Sequence, residues 1–175
     1  IMLRSAVFLD RDGVINKDFG YVYKISDIEW IEGVIQAIQY FNNNNYLVFI
    51  VTNQSGVARK LYTEADVISL HLWMNNYLRK RNALLSEIRY CPHHPNAVIS
   101  RYKKICNCRK PNPGMILSLI KDWNIDKSSS FLIGDKESDI KAAKNAGIDG
   151  FMFESSNLKK FVVSIMKKKA IKSNL

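Results

Sequence analysis

The sequence is poor in the residues that secreted and membrane-borne proteins depend on. It has 3 cysteines and 4 prolines in 175 residues. An odd cysteine count excludes a fully paired disulfide framework. The three cysteines, Cys91, Cys106 and Cys108, crowd into one short stretch, which points to a local metal site. No apolar run approaches the roughly 18–20 residues of a membrane-crossing helix. The apolar stretch Ala6 to Leu9 is too short for a secretory signal and stops at Asp10. A cytoplasmic location and no membrane partner are therefore expected. Internal repeats, low-complexity tracts and long linkers are also missing, so one domain over residues 1–175 is expected. Acidic residues are outnumbered 16 to 26 by lysine and arginine, for a net charge of +10. That balance favours anionic partners without choosing among nucleic acid, lipid and phosphorylated metabolites.

A chain of this length buries about 70% of its unfolded surface, so it owns a core without needing a metal or disulfide. Short apolar runs read as strands at Ser5 to Leu9, Tyr46 to Val51, Leu85 to Tyr90, Ser130 to Ile133 and Gly150 to Phe153. Amphipathic segments between them read as helices at Val34 to Phe41, Glu64 to Arg81, Pro113 to Trp123, Ser138 to Ala146 and Leu158 to Lys168. Thr63 and Asp66 form a capping-box pattern, Asn112-Pro113 supplies a cap and a first-turn proline, and Gly147 is a left-handed helix end. Strands alternating with helices imply an α/β fold with a mainly parallel sheet covered on both faces. Ligands bind such sheets beyond the carboxyl ends of the strands, so chemistry is expected just after Leu9, Val51, Tyr90 and Ile133.

Reactive residues stand at those points. After the first strand comes Asp10-Arg11-Asp12-Gly13. One carboxylate can attack phosphorus to form an acyl phosphate, and a second can shuttle the proton of the leaving oxygen and then of water. The same turn offers the oxygen ligands that Mg²⁺ prefers. After the second strand, Thr52-Asn53-Gln54-Ser55-Gly56 offers donors for phosphoryl oxygens, though alone it would pass for any turn. Arg109-Lys110 places two cations before a helix start, and Asp135 with Asp139 follows the fourth strand. Positive charge stabilises a transferring phosphoryl group, while the acids complete a magnesium site or, for Asp139, cap a helix. Cys91-x-His93 and Cys106-x-Cys108 make two i, i+2 pairs that suit tetrahedral Zn²⁺ with a closed, structural coordination sphere. His94 is the rival ligand to His93, and His71 reads as an ordinary packed or surface histidine.

Together these residues resemble the haloacid dehalogenase (HAD) superfamily of phosphatases: an Asp-x-Asp strand end, a strand-end Thr, a Lys and a Gly-Asp-x-x-x-Asp acid pair, in order across almost the whole chain. The resemblance implies a Rossmannoid three-layer sandwich. Within the superfamily, the Phe8–Asn16 strand end, Thr52 to Arg59, the Cys/His loop, Arg109-Lys110-Pro111 and Gly134-Asp135-Lys136 resemble the heptose-bisphosphate phosphatase branch, which serves lipopolysaccharide precursor synthesis. Histidinol-phosphate phosphatases share much of this set and are the alternative; a polynucleotide 3′-phosphatase is more distant, since the Cys/His loop speaks against it. The departure from this branch is Lys60-Leu61, where relatives often carry glycine.

The resemblance implies that Asp10 is the nucleophile and Asp12 the general acid and base. It assigns Mg²⁺ to Asp10, Asp135 and the Asp12 carbonyl, and the transferring phosphoryl group to Thr52 and Lys110. Asp18, Phe19, Gly20 and Tyr21 become a substrate-contacting flap. Asn53, Gln54 and Ser55 line the same pocket, Arg109 reaches the rest of a small phosphorylated sugar, and Lys136 lies near the metal and the substrate. Cys91, His93, Cys106 and Cys108 become the zinc ligands. The intervals between motifs leave no room for an inserted cap domain. No nucleic-acid partner is expected, and a monomer is.

Overall fold

The computed structural model describes residues 2–173. Five strands form one wholly parallel sheet: β1 (Ala6–Leu9), β2 (Leu47–Asn53), β3 (Glu87–Cys91), β4 (Phe131–Gly134) and β5 (Asp149–Met152), in the spatial order β3-β2-β1-β4-β5. The helices are α1 (Val34–Asn43), α2 (Glu64–Arg79), α3 (Gly114–Trp123), α4 (Glu137–Ala146) and α5 (Leu158–Ser173).

Successive strand residues point to opposite faces, and here both faces are dry. Val7, Leu9, Val48, Ile50, Phe131 and Ile133 enter one core with α1, α2 and α5 residues such as Ile38, Leu70 and Val162. Ala6, Phe8, Phe49, Val51 and Leu132 enter a second core with Met115, Ile116 and Leu119 of α3 and Ala142, Ala143 and Ala146 of α4. Each of the larger side chains among these, valine, leucine, isoleucine, methionine and phenylalanine, contributes roughly 1.5–3 kcal/mol on burial. This is the three-layer architecture that continuous apolar runs imply, because a parallel sheet needs a cover on each side. A third, smaller cluster of Val57, Ala58, Tyr62, Val67, Ala97 and Tyr102 packs the loop after β2 against the segment that follows β3.

The helix ends follow the local chemistry, with one shift. Thr63 accepts from the Asp66 amide while the Asp66 carboxylate takes the Thr63 amide, so the capping box is present. Gly147 ends α4 at φ 77°. α3 begins one residue later than expected, with Pro113 itself at the cap position. The side chain of Asn112 is committed instead to the Cys106 carbonyl at 2.7 Å. β2 runs two residues beyond the predicted end, so Thr52 and Asn53 are strand residues and their directions are set by the sheet. No described helix is long and apolar enough to cross a membrane. Between Asp12 and α1 the chain forms one short 3-10 turn at Ile25–Asp27. No cap domain stands among the described residues.

Candidate active site

Topology brings the first site together. β1 lies at the middle of the sheet with β2 on one side and β4 on the other, in register at Leu9↔Ile50 and Leu9↔Ile133. All strands run the same way, so Asp10, Thr52 and Asp135 leave the sheet at the same edge. They border a cleft of about 500 Å³ or lie beneath it. The cleft is lined by Asp10, Asp12, Asp18, Gly20, Tyr21, Thr52, Asn53, Gln54, Ser55, Arg109, Lys110 and Lys136, together with Tyr62, Pro111, Ser138 and Asp139. Phe19 alone of the expected flap residues is not there. It is 61% exposed and lines a separate shallow depression with Val22, Asp27 and Ile28. Gly20 and Tyr21 both take left-handed φ values, 78° and 53°, and this turn presents their side of the flap to the cleft while Phe19 faces away.

At the cleft floor Lys110 is buried and spends its ammonium on three acceptors: Asp10 Oδ1 at 2.9 Å, Asp139 Oδ1 at 2.6 Å and the Val51 carbonyl at 2.7 Å. Burial works against its charge, but Asp10 and Asp139 outweigh burial and hold its pKa above the usual lysine value. Its loop is pinned to β2 by a reciprocal pair: Asn53 Nδ2 donates to the Lys110 carbonyl and the Lys110 amide donates to Asn53 Oδ1, both at 3.0 Å. The amide of Arg11 donates to Asp10 Oδ1 at 2.9 Å. Burial nonetheless pushes the Asp10 carboxyl up, against the pull of Lys110.

Asp135 closes the group. Single oxygens of Asp10, Asp135 and Asp139 all lie within 4.8 Å of one another. Asp135 Oδ1 is buried without a hydrogen-bond partner. Burial first, then the Asp10 charge, drive its carboxyl up to about 7. Three carboxylates beside one ammonium form an acid-rich oxygen set that a hard divalent cation would satisfy. Gly13 makes the approach possible: it sits at φ 91°, and a Cβ there would overlap the Asp135 carboxylate. Asp139, which reads from sequence equally as a helix-start acid, serves both ends. Its Oδ2 accepts the Lys136 amide at 3.1 Å while its Oδ1 holds Lys110.

Asp12 is gripped by four donor contacts. Arg11 Nη2 and Nε reach Oδ1 at 2.9 and 3.3 Å, Asn16 Nδ2 reaches Oδ1 at 3.0 Å, and Gln54 Nε2 reaches Oδ2 at 3.1 Å. Gln54 Nε2 also donates to Thr52 Oγ1 at 2.9 Å, and Tyr62 Oη donates to Gln54 Oε1 at 2.6 Å. Thr52 Oγ1 is therefore an acceptor towards Gln54, which leaves its own proton for the cleft. Arg11, Tyr62 and His71 were not expected at the site. Nothing in the local sequence marks Arg11 or Tyr62 for the site, and His71 lies on α2, 60 residues from Arg11 in sequence.

A second cluster sits where β3 ends. Cys91, His93, Cys106 and Cys108 bring four ligand atoms within 4.8 Å of one another. The Sγ–Sγ distances are 3.5, 3.0 and 3.3 Å, and His93 Nδ1 lies 3.6 Å from Cys91 Sγ and 3.3 Å from Cys108 Sγ. These approach the roughly 3.7 Å edge of a tetrahedron built from metal–sulfur bonds of about 2.3 Å. No disulfide forms among them. Burial pushes the Cys91 thiol up, so a thiolate there calls for a cation. His94 is turned elsewhere, with Nε2 3.2 Å from Arg59 and Nδ1 accepting the Asn96 amide. The two sites touch through the chain: Arg109 follows Cys108, lines the cleft, and donates to the His93 carbonyl at 3.4 Å.

Residues 107–160 match the model of HAD-hydrolase-like proteins. A D-glycero-beta-D-manno-heptose-1,7-bisphosphate 7-phosphatase of Rhodopseudomonas palustris is 47% identical over 163 residues, spanning 93% of this chain and 91% of the relative. Its namesake in Escherichia coli strain K12 is 45% identical over 143 residues, 82% of this chain and 75% of the relative. Among solved structures, the D,D-heptose 1,7-bisphosphate phosphatase of B. bronchiseptica, crystallised with magnesium and phosphate, superposes with a TM-score of 0.77. It is 29% identical, over 92% of this chain and 86% of that one. By fold, cleft and this degree of identity, the chain is a phosphatase and belongs to the heptose-1,7-bisphosphate 7-phosphatase family of HAD-like hydrolases.

Proposed function

We propose that this protein removes the 7-phosphate of D-glycero-beta-D-manno-heptose 1,7-bisphosphate through an aspartyl-phosphate on Asp10, in the supply of heptose for lipopolysaccharide. The observation that carries the reading is the convergence of Asp10, Lys110 and Asp135 on one floor from three separate segments of the fold. The names of the relatives favour this substrate over histidinol phosphate, and the beta anomer in those names is the support for that anomer here.

In this reading an Asp10 oxygen attacks the phosphorus of the 7-phosphate. The bond from phosphorus to the sugar oxygen breaks, and Asp12 gives that oxygen its proton. Asp12 then takes a proton from water, whose oxygen attacks the aspartyl-phosphate, releasing inorganic phosphate and restoring Asp10. Thr52 donates its hydroxyl proton to a phosphoryl oxygen, and Lys110 supplies positive charge at the floor. Magnesium, held by Asp10, Asp135 and the Asp12 carbonyl, would neutralise the charge of the phosphoryl oxygens beside the Asp10 carboxylate. Arg109 and Lys136, both on the cleft wall, recognise the distal phosphate, with Asp18, Gly20 and Tyr21 along the sugar. Cys91, His93, Cys106 and Cys108 would hold zinc, which would shape the loop that carries Arg109 without a part in the chemistry. A cytoplasmic monomer with one domain over residues 1–175 completes the proposal.

The test is a substrate panel with Mg²⁺. Heptose 1,7-bisphosphate is expected to be turned over in preference to histidinol phosphate, and Asp10→Asn to lower the rate by at least about 1,000-fold. Preference for histidinol phosphate, or an Asp10→Asn protein that still turns over, would reject it.

A further inference from the structure

Behind Asp12 stands a group that the reaction above does not use. Arg11 is the largest side chain with under 2% exposure among the described residues. A guanidinium stays buried only when its charge and its protons are satisfied. Beyond its bonds to Asp12, Arg11 Nη2 donates to the Val22 carbonyl at 2.6 Å, and Nη1 lies 3.1 Å from His71 Nε2. An arginine nitrogen can only donate, so His71 Nε2 accepts and the ring is neutral with its proton on Nδ1. Burial, and then the Arg11 charge, hold this imidazole far below its usual range, at about 3. Edge contact with the Tyr90 ring, centroids 5.9 Å apart, fixes its orientation. A rigid series therefore runs from α2 through His71 and Arg11 to Asp12.

The series acts on one oxygen. Asp12 Oδ1 takes the Arg11 and Asn16 donors and is saturated, whereas Oδ2 takes only Gln54 Nε2. Oδ2 is the oxygen with capacity left for a proton. The same Arg11 also ties the root of the flap, at Val22, to Asp12.

We propose that Arg11, buttressed by neutral His71, is a positioning residue that presents Asp12 Oδ2 to the leaving oxygen. The proposal rests on the general-acid role of Asp12. Neither Arg11 nor His71 lines the cleft, so both act through Asp12. Misplacing a reacting group by about 1 Å costs on the order of 100-fold.

Leaving-group dependence separates positioning of an acid from mere support of the fold. The ratio kcat/KM reports phosphoryl transfer to Asp10 and excludes the later attack of water. In that step a sugar oxygen needs a proton to depart, whereas p-nitrophenolate does not. His71→Leu and Arg11→Lys are expected to lower kcat/KM by about 10-fold or more on heptose 1,7-bisphosphate, and by no more than about 2–3-fold on p-nitrophenyl phosphate. His71→Gln, whose amide oxygen reaches the place of Nε2, is expected to restore most of the loss. Equal losses on both substrates, or no loss, overturn the proposal. If Arg11→Lys does not fold, the uncharged His71→Leu and His71→Gln pair decides. Asp12→Asn sets the scale. If its losses are equal on both substrates, the general-acid role fails and positioning falls with it. If Asp12→Asn discriminates between the substrates and the His71 and Arg11 variants do not, positioning alone is rejected.

Discussion

The two clusters of this protein are built in opposite ways. The acid floor is assembled from four distant segments, because Asp10 and Asp135 follow β1 and β4, Thr52 lies near the end of β2 and Lys110 precedes α3, and they meet only when the parallel sheet forms. The Cys/His cluster comes from two short pairs on neighbouring segments, Cys91-x-His93 and Cys106-x-Cys108, and needs little beyond the end of β3. The first is hard oxygen chemistry on a buried floor. The second is soft sulfur chemistry on a partly open loop. A site made by topology is tied to global stability, whereas a site made by local spacing would depend on the zinc proposed for it.

Lys110→Met probes that contrast most severely. It leaves Asp10 and Asp139 facing each other without their shared cation, and removing one partner of a buried ion pair costs about 3–5 kcal/mol. Both the midpoint of urea unfolding and phosphatase turnover are expected to fall, while the thiol cluster keeps its metal stoichiometry. Unchanged stability would mean that the floor is not coupled to the fold. Cys106→Ser attacks the other side. Bound zinc is expected to drop from one equivalent towards none by atomic absorption. Turnover should fall about 10-fold, a loss of the size seen when even the outer supports of a metal site are changed, with the urea midpoint of the sheet little altered. Full zinc content with full turnover would refute a structural metal. Lys136→Ala is the mildest change. Its ion pair with Asp18 at 3.1 Å is half-exposed and is worth about 0–1 kcal/mol, so melting should scarcely move. KM for the bisphosphate should rise more than kcat falls. An equal effect on a monophosphate substrate would remove Lys136 from recognition of the distal phosphate.

The same contrast explains what the sequence made legible. The Cys/His set was readable because its spacing is its geometry. The strand ends were readable because apolar runs stop at Asp10, Thr52 and Asp135, and a parallel sheet delivers such ends to one side. The partners of those residues were not readable. Nothing local marks Arg11 as buried; its surroundings come from Val22 and from His71 on α2. Tyr62 reaches Gln54 only because the loop after β2 folds back, with Gly56 packed directly under the Tyr62 ring. Asp139 could be recognised as a helix-start acid, but its grip on Lys110 required the third dimension. The orientation of Phe19 depended on two left-handed residues, one of them the non-glycine Tyr21, a conformation that sequence seldom announces.

Cys108, Arg109 and Lys110 are consecutive, so a thiol of the sulfur cluster, a guanidinium on the cleft wall and the ammonium on the acid floor hang from three adjoining Cα atoms, each about 3.8 Å from the next when the peptide is trans. That tripeptide works as a short lever. A disturbance of the loop that twists Cys108 should reach Arg109 first, because Lys110 is itself held to β2 by the reciprocal pair with Asn53. Damage to the sulfur cluster should therefore be felt in how well the cleft tells one anion from another before it is felt in the bond-breaking step.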